Sequence, residues 1–416
     1  MSALKGAVLF GQSGGPTSVI NASAAGVFLE ALKHEEITAV YGAEHGIKGI
    51  LEEKLVDIGQ EDRHELELLK STPSSALGSV RYKLKKAEEN ETDYKRILEV
   101  FTKYNIRYFF YNGGNDSMDT CNKISKYLQS KNYECRIIGV PKTVDNDLMG
   151  TDHCPGYGSA AKYVATTMME LYLDTHVYNT PMVTVVEIMG RNAGWLAAAA
   201  ALANYKGLGP DLIYLPERVF SVEGFLEDIK RVAARKNGKV LAAISEGIKD
   251  ERGRYISEYN SDLARDSFGH AQLGGAAAVL GGIISDQLNV KVRPIEFSLM
   301  QRCAAHIASA TDREEAFMAG AMAVRYALAG NTDKMVGFAR VAGPKYKIEY
   351  QLVDLAVTAN AEKKVPLAWI NPDNSGLTDD FIAYALPLIQ GEGEYPTEDG
   401  LPRFARLKKI RAKGDK

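Results

Sequence analysis

Residues 107–118 read Arg107-Tyr108-Phe109-Phe110-Tyr111-Asn112-Gly113-Gly114-Asn115-Asp116-Ser117-Met118. An apolar run gives way to a polar turn with two glycines, and helical periodicity follows from Met118. This order of strand, turn and helix is the repeating unit of an α/β protein with mostly parallel strands. It recurs along the chain. Apolar runs at 7–10, 107–111, 136–140, 182–188, 212–215 and 240–244 predict strands. Helical periodicity predicts helices at 20–33, 118–129, 159–173, 193–203, 222–236, 274–287, 299–309 and 314–329.

With 416 residues, the chain exceeds the size at which one core usually stops growing. Two domains with a cleft between them are expected, and such clefts bind small ligands. Hydrophobic residues make up 45% and charged residues 25%, as in ordinary globular proteins. A net charge of -3 provides no general attraction to nucleic acid or anionic lipid. The basic run from Arg403 to Lys413 reads as a solvated tail. No apolar stretch approaches the ~20 residues that span a bilayer, and no signal-peptide pattern precedes Ala7. A cytoplasmic protein without nucleic-acid or membrane partners is expected. Cys121, Cys135, Cys154 and Cys303 are widely spaced and read as buried thiols.

Ligands of open α/β sheets bind beyond the carboxyl ends of strands, so the turns there hold the candidate chemistry. The first is Gly11-Gln12-Ser13-Gly14-Gly15-Pro16-Thr17, where glycines let backbone approach a phosphate next to a helix N-terminus. It lacks the Lys-Ser/Thr of a Walker A loop, and a purely structural turn explains it equally well. The second, Asn112 to Ser117, reads either as a helix cap supplied by Ser117 or as a phosphate and metal turn. The third is Pro141-Lys142-Thr143-Val144-Asp145-Asn146-Asp147. It sets two carboxylates beside a cation and a hydroxyl. Phosphoryl transfer needs a base, positive charge on the moving group and ligands for Mg²⁺. This turn supplies a share of each, although an Asp/Asn-rich surface turn is the simpler alternative.

Further along, Arg191 in Glu187-Ile188-Met189-Gly190-Arg191-Asn192 sits where the helix dipole disfavours a cation, which suits a bidentate clamp on phosphate or sugar. Glu246 ends another strand and is either a cap or an acceptor for sugar hydroxyls. Arg81 and Arg302 are candidate phosphate ligands, with Lys291 and Arg293 ahead of the latter. His270 and Gln272 precede another helix start.

In this order, the turns from Gly11 to about Gly330 resemble the phosphofructokinase family, and specifically its pyrophosphate-dependent branch. The resemblance implies two Rossmann-like α/β domains with an active-site cleft between them. The expected division is a donor-binding domain at 1–150 with a later segment returning to it, a sugar-phosphate domain at 151–330, and a C-terminal segment at 331–416 packing back on the core. It further implies reversible, Mg²⁺-dependent phosphoryl transfer from pyrophosphate to the 1-hydroxyl of fructose 6-phosphate, by a homodimer or homotetramer. Asp145 falls on the base. Thr143, Met189, Gly190, Arg191, Glu246 and Arg302 fall on sugar-phosphate contacts. Gly14, Gly15, Arg81, Gly114 and Ser117 fall on donor-phosphate contacts.

ATP-using members carry glycine where this chain has Asp116 and Lys142. The Asp116 carboxylate would occupy the space of a nucleotide α-phosphate, and Lys142 would supply the cation that a short inorganic donor needs. One such charge in a partly dry site is worth roughly 2 to 4 kcal/mol, enough to set preference by ~30-fold or more. Asn115 stands where many relatives carry an aspartate, which leaves Asn115 and Asp147 as the metal ligands, with Asp145 able to share the contact. Leu273 replaces a sugar-phosphate arginine, a contact that Arg302 or Arg293 would then have to make. The competing readings are an ATP-dependent 6-phosphofructokinase, a glycosyltransferase built on Asp145-Asn146-Asp147, and a non-catalytic sugar-phosphate sensor.

Overall fold

The computed structural model describes residues 4–260, 275–359 and 361–414. Eleven strands build two sheets: β1 (Gly6–Gln12), β2 (Ile37–Ala43), β3 (Leu55–Asp57), β4 (Ile106–Gly113), β5 (Arg136–Pro141), β6 (Met182–Ile188), β7 (Leu212–Tyr214), β8 (Lys239–Ser245), β9 (Val292–Glu296), β10 (Lys334–Arg340) and β11 (Ile348–Asp354). The first sheet has the order β11-β10-β5-β4-β1-β2-β3 and the second β7-β8-β6-β9. All pairings are parallel except those of the edge strands β3 and β11. Parallel strands are covered on both faces, which is why they read as continuous apolar runs. Val8 and Phe10 enter one core with Phe28 and Phe338, while Ala7 and Leu9 enter the opposite one with Phe101 and Tyr111.

Strand register positions the site. Gln12 pairs with Asn112, and Gly113 with Pro141, so the turns after β1, β4 and β5 emerge side by side. In the second sheet Ile188 pairs with Ser245, and Glu187 with Glu296, which aligns the turns after β6, β8 and β9. Helix Ile20–Ala31 is buried at every position and crosses helix Ala310–Leu328 at backbone distance. A Cβ on Gly26 would lie 2.0 Å from the Phe317 carbonyl oxygen, and one on Gly320 2.0 Å from that of Ser23.

Several local expectations need correction. The segment 193–203 forms two short helices, Trp195–Ala199 and Ala201–Asn204, rather than one. The helix expected at 299–309 is only Met300–Cys303 followed by a 3₁₀ turn, because Ala304 leaves helical geometry at ψ 76°. Cys303 is exposed and Cys135 is only partly buried, so two of the four thiols are not core residues. The basic run does not trail into solvent. Asp57 N–H donates to Ile410 O (2.8 Å) and Ala412 N–H to Leu55 O (3.0 Å), which runs the segment along β3. Glu61 accepts from the N–H groups of Lys408 and Lys409 (2.7 Å each), Arg411 meets Glu44 at 2.6 Å, and Arg403 pairs with Glu65.

Candidate active site

The two rows of turns face each other across a cleft of about 430 Å³. Lys142 follows directly from β5 and is only 4% exposed. Its Nζ donates to Gly15 O at 2.7 Å. Burial pushes this ammonium down to about 8, opposed by the Asp145 carboxylate. The two glycines opposite are small for a reason. A Cβ on Gly14, whose φ is +77°, would lie 3.2 Å from Lys142 Nζ, and one on Gly15 2.9 Å from Arg302 Nη1. Ser79 Oγ donates to Gly14 O at 2.6 Å, tying the exposed Arg81 segment to the same loop.

The acidic turn is held by its own polar side chains. Asp145 N–H donates to Thr143 Oγ1 (3.0 Å). Asn146 takes a left-handed φ of 54°, which asparagine tolerates. Its side chain is fully buried, donating to Tyr384 Oη (2.8 Å) and accepting from Cys154 N–H (2.9 Å). With Asn146 turned inward, Asp145 and Asp147 both line the cleft. Burial raises the Asp145 carboxyl, opposed by Lys142. Asp147 is pushed up to about 7, first by burial and then by the charges of Asp145 and Glu362.

Gly114 precedes helix Asn115–Ser130, and Asp116 lies exposed in its first turn at the cleft wall. Ser117 is not the cap that its position in sequence suggests. The helix begins two residues earlier, and the buried Ser117 Oγ packs where a Cβ on Gly113 would stand. Asn115 Nδ2 donates to Asp147 Oδ2 at 2.9 Å, which leaves the buried Asn115 Oδ1 without a partner.

On the facing wall, Met189 N–H donates to Gln301 Oε1 (3.2 Å) and Gly190 N–H to Glu246 Oε1 (3.2 Å). Burial raises the Glu246 carboxyl, opposed by its bond from Gly190. Gly190 itself does not line the cleft. Its φ of 138° and its bond to Glu246 orient the turn that carries Met189 and Arg191 to the wall. Arg302 lies between the two sides. Burial lowers its pKa, with Arg81 adding to the effect and Asp145 and Glu246 opposing it.

The cleft therefore gathers the candidate base, donor, sugar and metal residues among the described ones, other than Gly190, Lys291 and Arg293. Arg293 lies elsewhere, paired with Asp174 at 3.2 Å. His270, Gln272 and Leu273 fall outside the described residues. Among the lining residues that the sequence reading gave no role are Asn192 and Glu362, whose side chains bond at 2.9 Å. Asn192 adjoins Arg191 in a turn already under suspicion. Glu362 lies far along the chain and has no local signal. Among the described residues no group of three or more His, Cys, Asp or Glu side chains is placed to hold a metal ion. The orphaned Asn115 Oδ1 and the Asp147 carboxylate do fit a hard cation that takes its remaining ligands from water and phosphate.

The profile of the phosphofructokinase family matches residues 7–327, well over half of the chain. The chain belongs to the phosphofructokinase family. This phosphofructokinase is 43% identical over 402 residues to the pyrophosphate--fructose 6-phosphate 1-phosphotransferase of Methylococcus capsulatus, covering 96% of this chain and 95% of that one. It is likewise 43% identical to the enzyme of the same name from Halomonas elongata, over 97% and 96% of the two chains. Among solved structures, the pyrophosphate-dependent phosphofructokinase of Marinobacter aquaeolei superposes with a TM-score of 0.88 at 40% identity, covering 99% and 98%. No helix among the described residues of this phosphofructokinase is long and apolar enough to cross a membrane.

Proposed function

We propose that this phosphofructokinase transfers a phosphoryl group reversibly from pyrophosphate to the 1-hydroxyl of fructose 6-phosphate, giving fructose 1,6-bisphosphate and phosphate. The observation that carries the donor choice is Lys142, buried in the cleft with its Nζ on Gly15 O, in the turn beside the one that bears Asp116. The relatives with 43% identity over almost the whole chain bear the same activity in their names.

Asp145 takes the proton of the 1-hydroxyl. Its burial raises its basicity toward neutral pH, where a general base works best. Lys142 places positive charge on the migrating group, with Gly14, Gly15, Arg81, Gly114 and Ser117 around the donor. Thr143, Met189, Arg191 and Glu246 face the sugar, Gly190 orients their turn, and Arg302 reaches its phosphate. Asn115 Oδ1 and Asp147 would hold Mg²⁺, which when bound supplies charge to the phosphate oxygens. The enzyme acts in the cytoplasm on this reading, and a homodimer or homotetramer fits the exposed Leu299 and Met300, each 55% accessible beside Arg302.

A coupled assay with fructose 6-phosphate and either donor tests the reading. Pyrophosphate is expected to exceed ATP by ~30-fold or more. Greater activity with ATP would overturn the donor assignment.

Lys142 also sets an alkaline limit. A lysine at about 8 loses its charge as pH rises through that value, so kcat/KM for pyrophosphate should fall above about pH 8. Bound pyrophosphate favours the charged ammonium, so the corresponding limb of kcat should lie at higher pH. Initial rates between about pH 6 and about pH 10 measure both, and coincident limbs would exclude Lys142 as the group responsible.

A further inference from the structure

Beyond the region matched by the family profile, residues 362–365 bond to both walls of the cleft. On the acidic side, Glu362 bridges to Leu148, and Lys363 N–H donates to Asp147 O at 2.7 Å. Lys363 Nζ donates to the carbonyls of Thr151 (3.1 Å) and Asp152 (2.6 Å). On the sugar-facing side, Trp195 Nε1 donates to Lys363 O (2.8 Å) and Asn192 Nδ2 to Glu362 Oε1 (2.9 Å). One oxygen of Glu217 closes the arrangement, accepting from Gly194 N–H (2.8 Å) and Val365 N–H (3.0 Å).

We propose that this short segment, anchored by Lys363 and Glu217, is a positioning element that holds the turn bearing Asp145 and Asp147 at a fixed separation from the Met189–Asn192 turn. The inference rests on the phosphoryl-transfer reading. Lys363 and Glu217 do not line the cleft and so cannot touch the reacting atoms. Their bonds instead reach the backbone at the end of one turn, Asp147 O, and the residues just after the other, Gly194 N–H and Trp195 Nε1. The base and the acceptor hydroxyl must approach to ~3 Å, and a displacement of about 1 Å can cost ~10²-fold in rate. Contacts within each sheet fix each row of turns internally. The segment fixes one row against the other.

The ammonium of Lys363 stands 5.2 Å from the centre of the Trp195 ring, so one side chain grips both the acidic-side backbone and the indole. At Glu217 the second carboxylate oxygen is buried without a partner. A glutamine there would keep the accepting oxygen and an alanine would remove it, which separates geometry from bulk.

Glu217→Ala and Lys363→Met are each expected to lower kcat by about 10- to 100-fold, with KM for either substrate moving less than about threefold. Glu217→Gln should recover most of the loss. Trp195→Phe, which removes the indole N–H but keeps a ring, gives a milder version of the same defect. Amide hydrogen exchange on the unliganded proteins provides a second readout, with residues 143–152 and 189–195 expected to exchange faster together. Folded variants with kcat within about twofold of the parent, or faster exchange confined to 362–365, would overturn the proposal. Exchange needs no substrate, so it decides the tie even if the parent protein fails to turn over pyrophosphate and the reaction assignment falls.

Discussion

Asp145→Ser is expected to lower kcat by about 10²- to 10⁴-fold while KM for fructose 6-phosphate changes far less. The turn should survive the substitution. Thr143 is bonded to the main-chain N–H of residue 145, and Asn146 is anchored to Tyr384 and Cys154, so neither support needs the aspartate side chain. What disappears is a carboxylate beside Lys142, and serine has no comparable basicity at neutral pH. The loss of one negative charge also relieves Asp147, whose carboxyl is raised in part by Asp145. Metal binding should therefore be retained, and rates measured over a series of Mg²⁺ concentrations should show a lowered ceiling with a similar midpoint. A kcat within a few-fold of the parent would remove Asp145 from the role of base.

Asp116→Gly combined with Lys142→Gly is expected to lower kcat/KM for pyrophosphate by about 10²- to 10³-fold, the usual effect of removing a charge aimed at the reacting group. Lys142 carries most of this. It is the buried cation nearest the Gly14–Gly15 loop, and its removal leaves Gly15 O without its donor. Lys142→Met serves as the companion variant because it retains the bulk of the side chain. If both lose pyrophosphate activity, the cause is charge rather than a collapsed wall. Unchanged pyrophosphate kinetics would refute the donor site. Gain of ATP use is a separate matter, since it requires a pocket for adenine as well as space at residue 116.

Sequence alone revealed the elements whose physics is local. Residues 182–188 are apolar but for Thr184 and Glu187 because β6 is buried at every position between β8 and β9, and the structure returns the same bounds. The turns after β1, β4 and β5 stood out because glycines, carboxylates and a lysine directly after a buried strand are poor surface chemistry. Elements shaped by tertiary contact were hidden. β9 contains Arg293 and Pro294, tolerable only because it is a sheet edge. The basic run looked solvated because its partners, Glu44, Glu61 and Glu65, lie at the other end of the chain. Glu362 reaches the cleft, and Tyr384 reaches Asn146 behind it, through contacts that no local pattern encodes, and the same holds for the Gly26–Gly320 crossing.

The first sheet begins with β1 near the amino terminus, yet β10 joins β5 only after the entire second sheet has been made. During synthesis, β5 therefore presents an open hydrogen-bonding edge just ahead of the residues that will become the catalytic turn. Such an edge invites pairing with other chains, and closing it over so long a loop is slow. Tyr384, which steadies Asn146, emerges later still. A ribosome-bound chain thus carries the β1, β4 and β5 turns before the support of Asn146 exists, and the turn bearing Asp145 and Asp147 is complete only once Tyr384 has emerged.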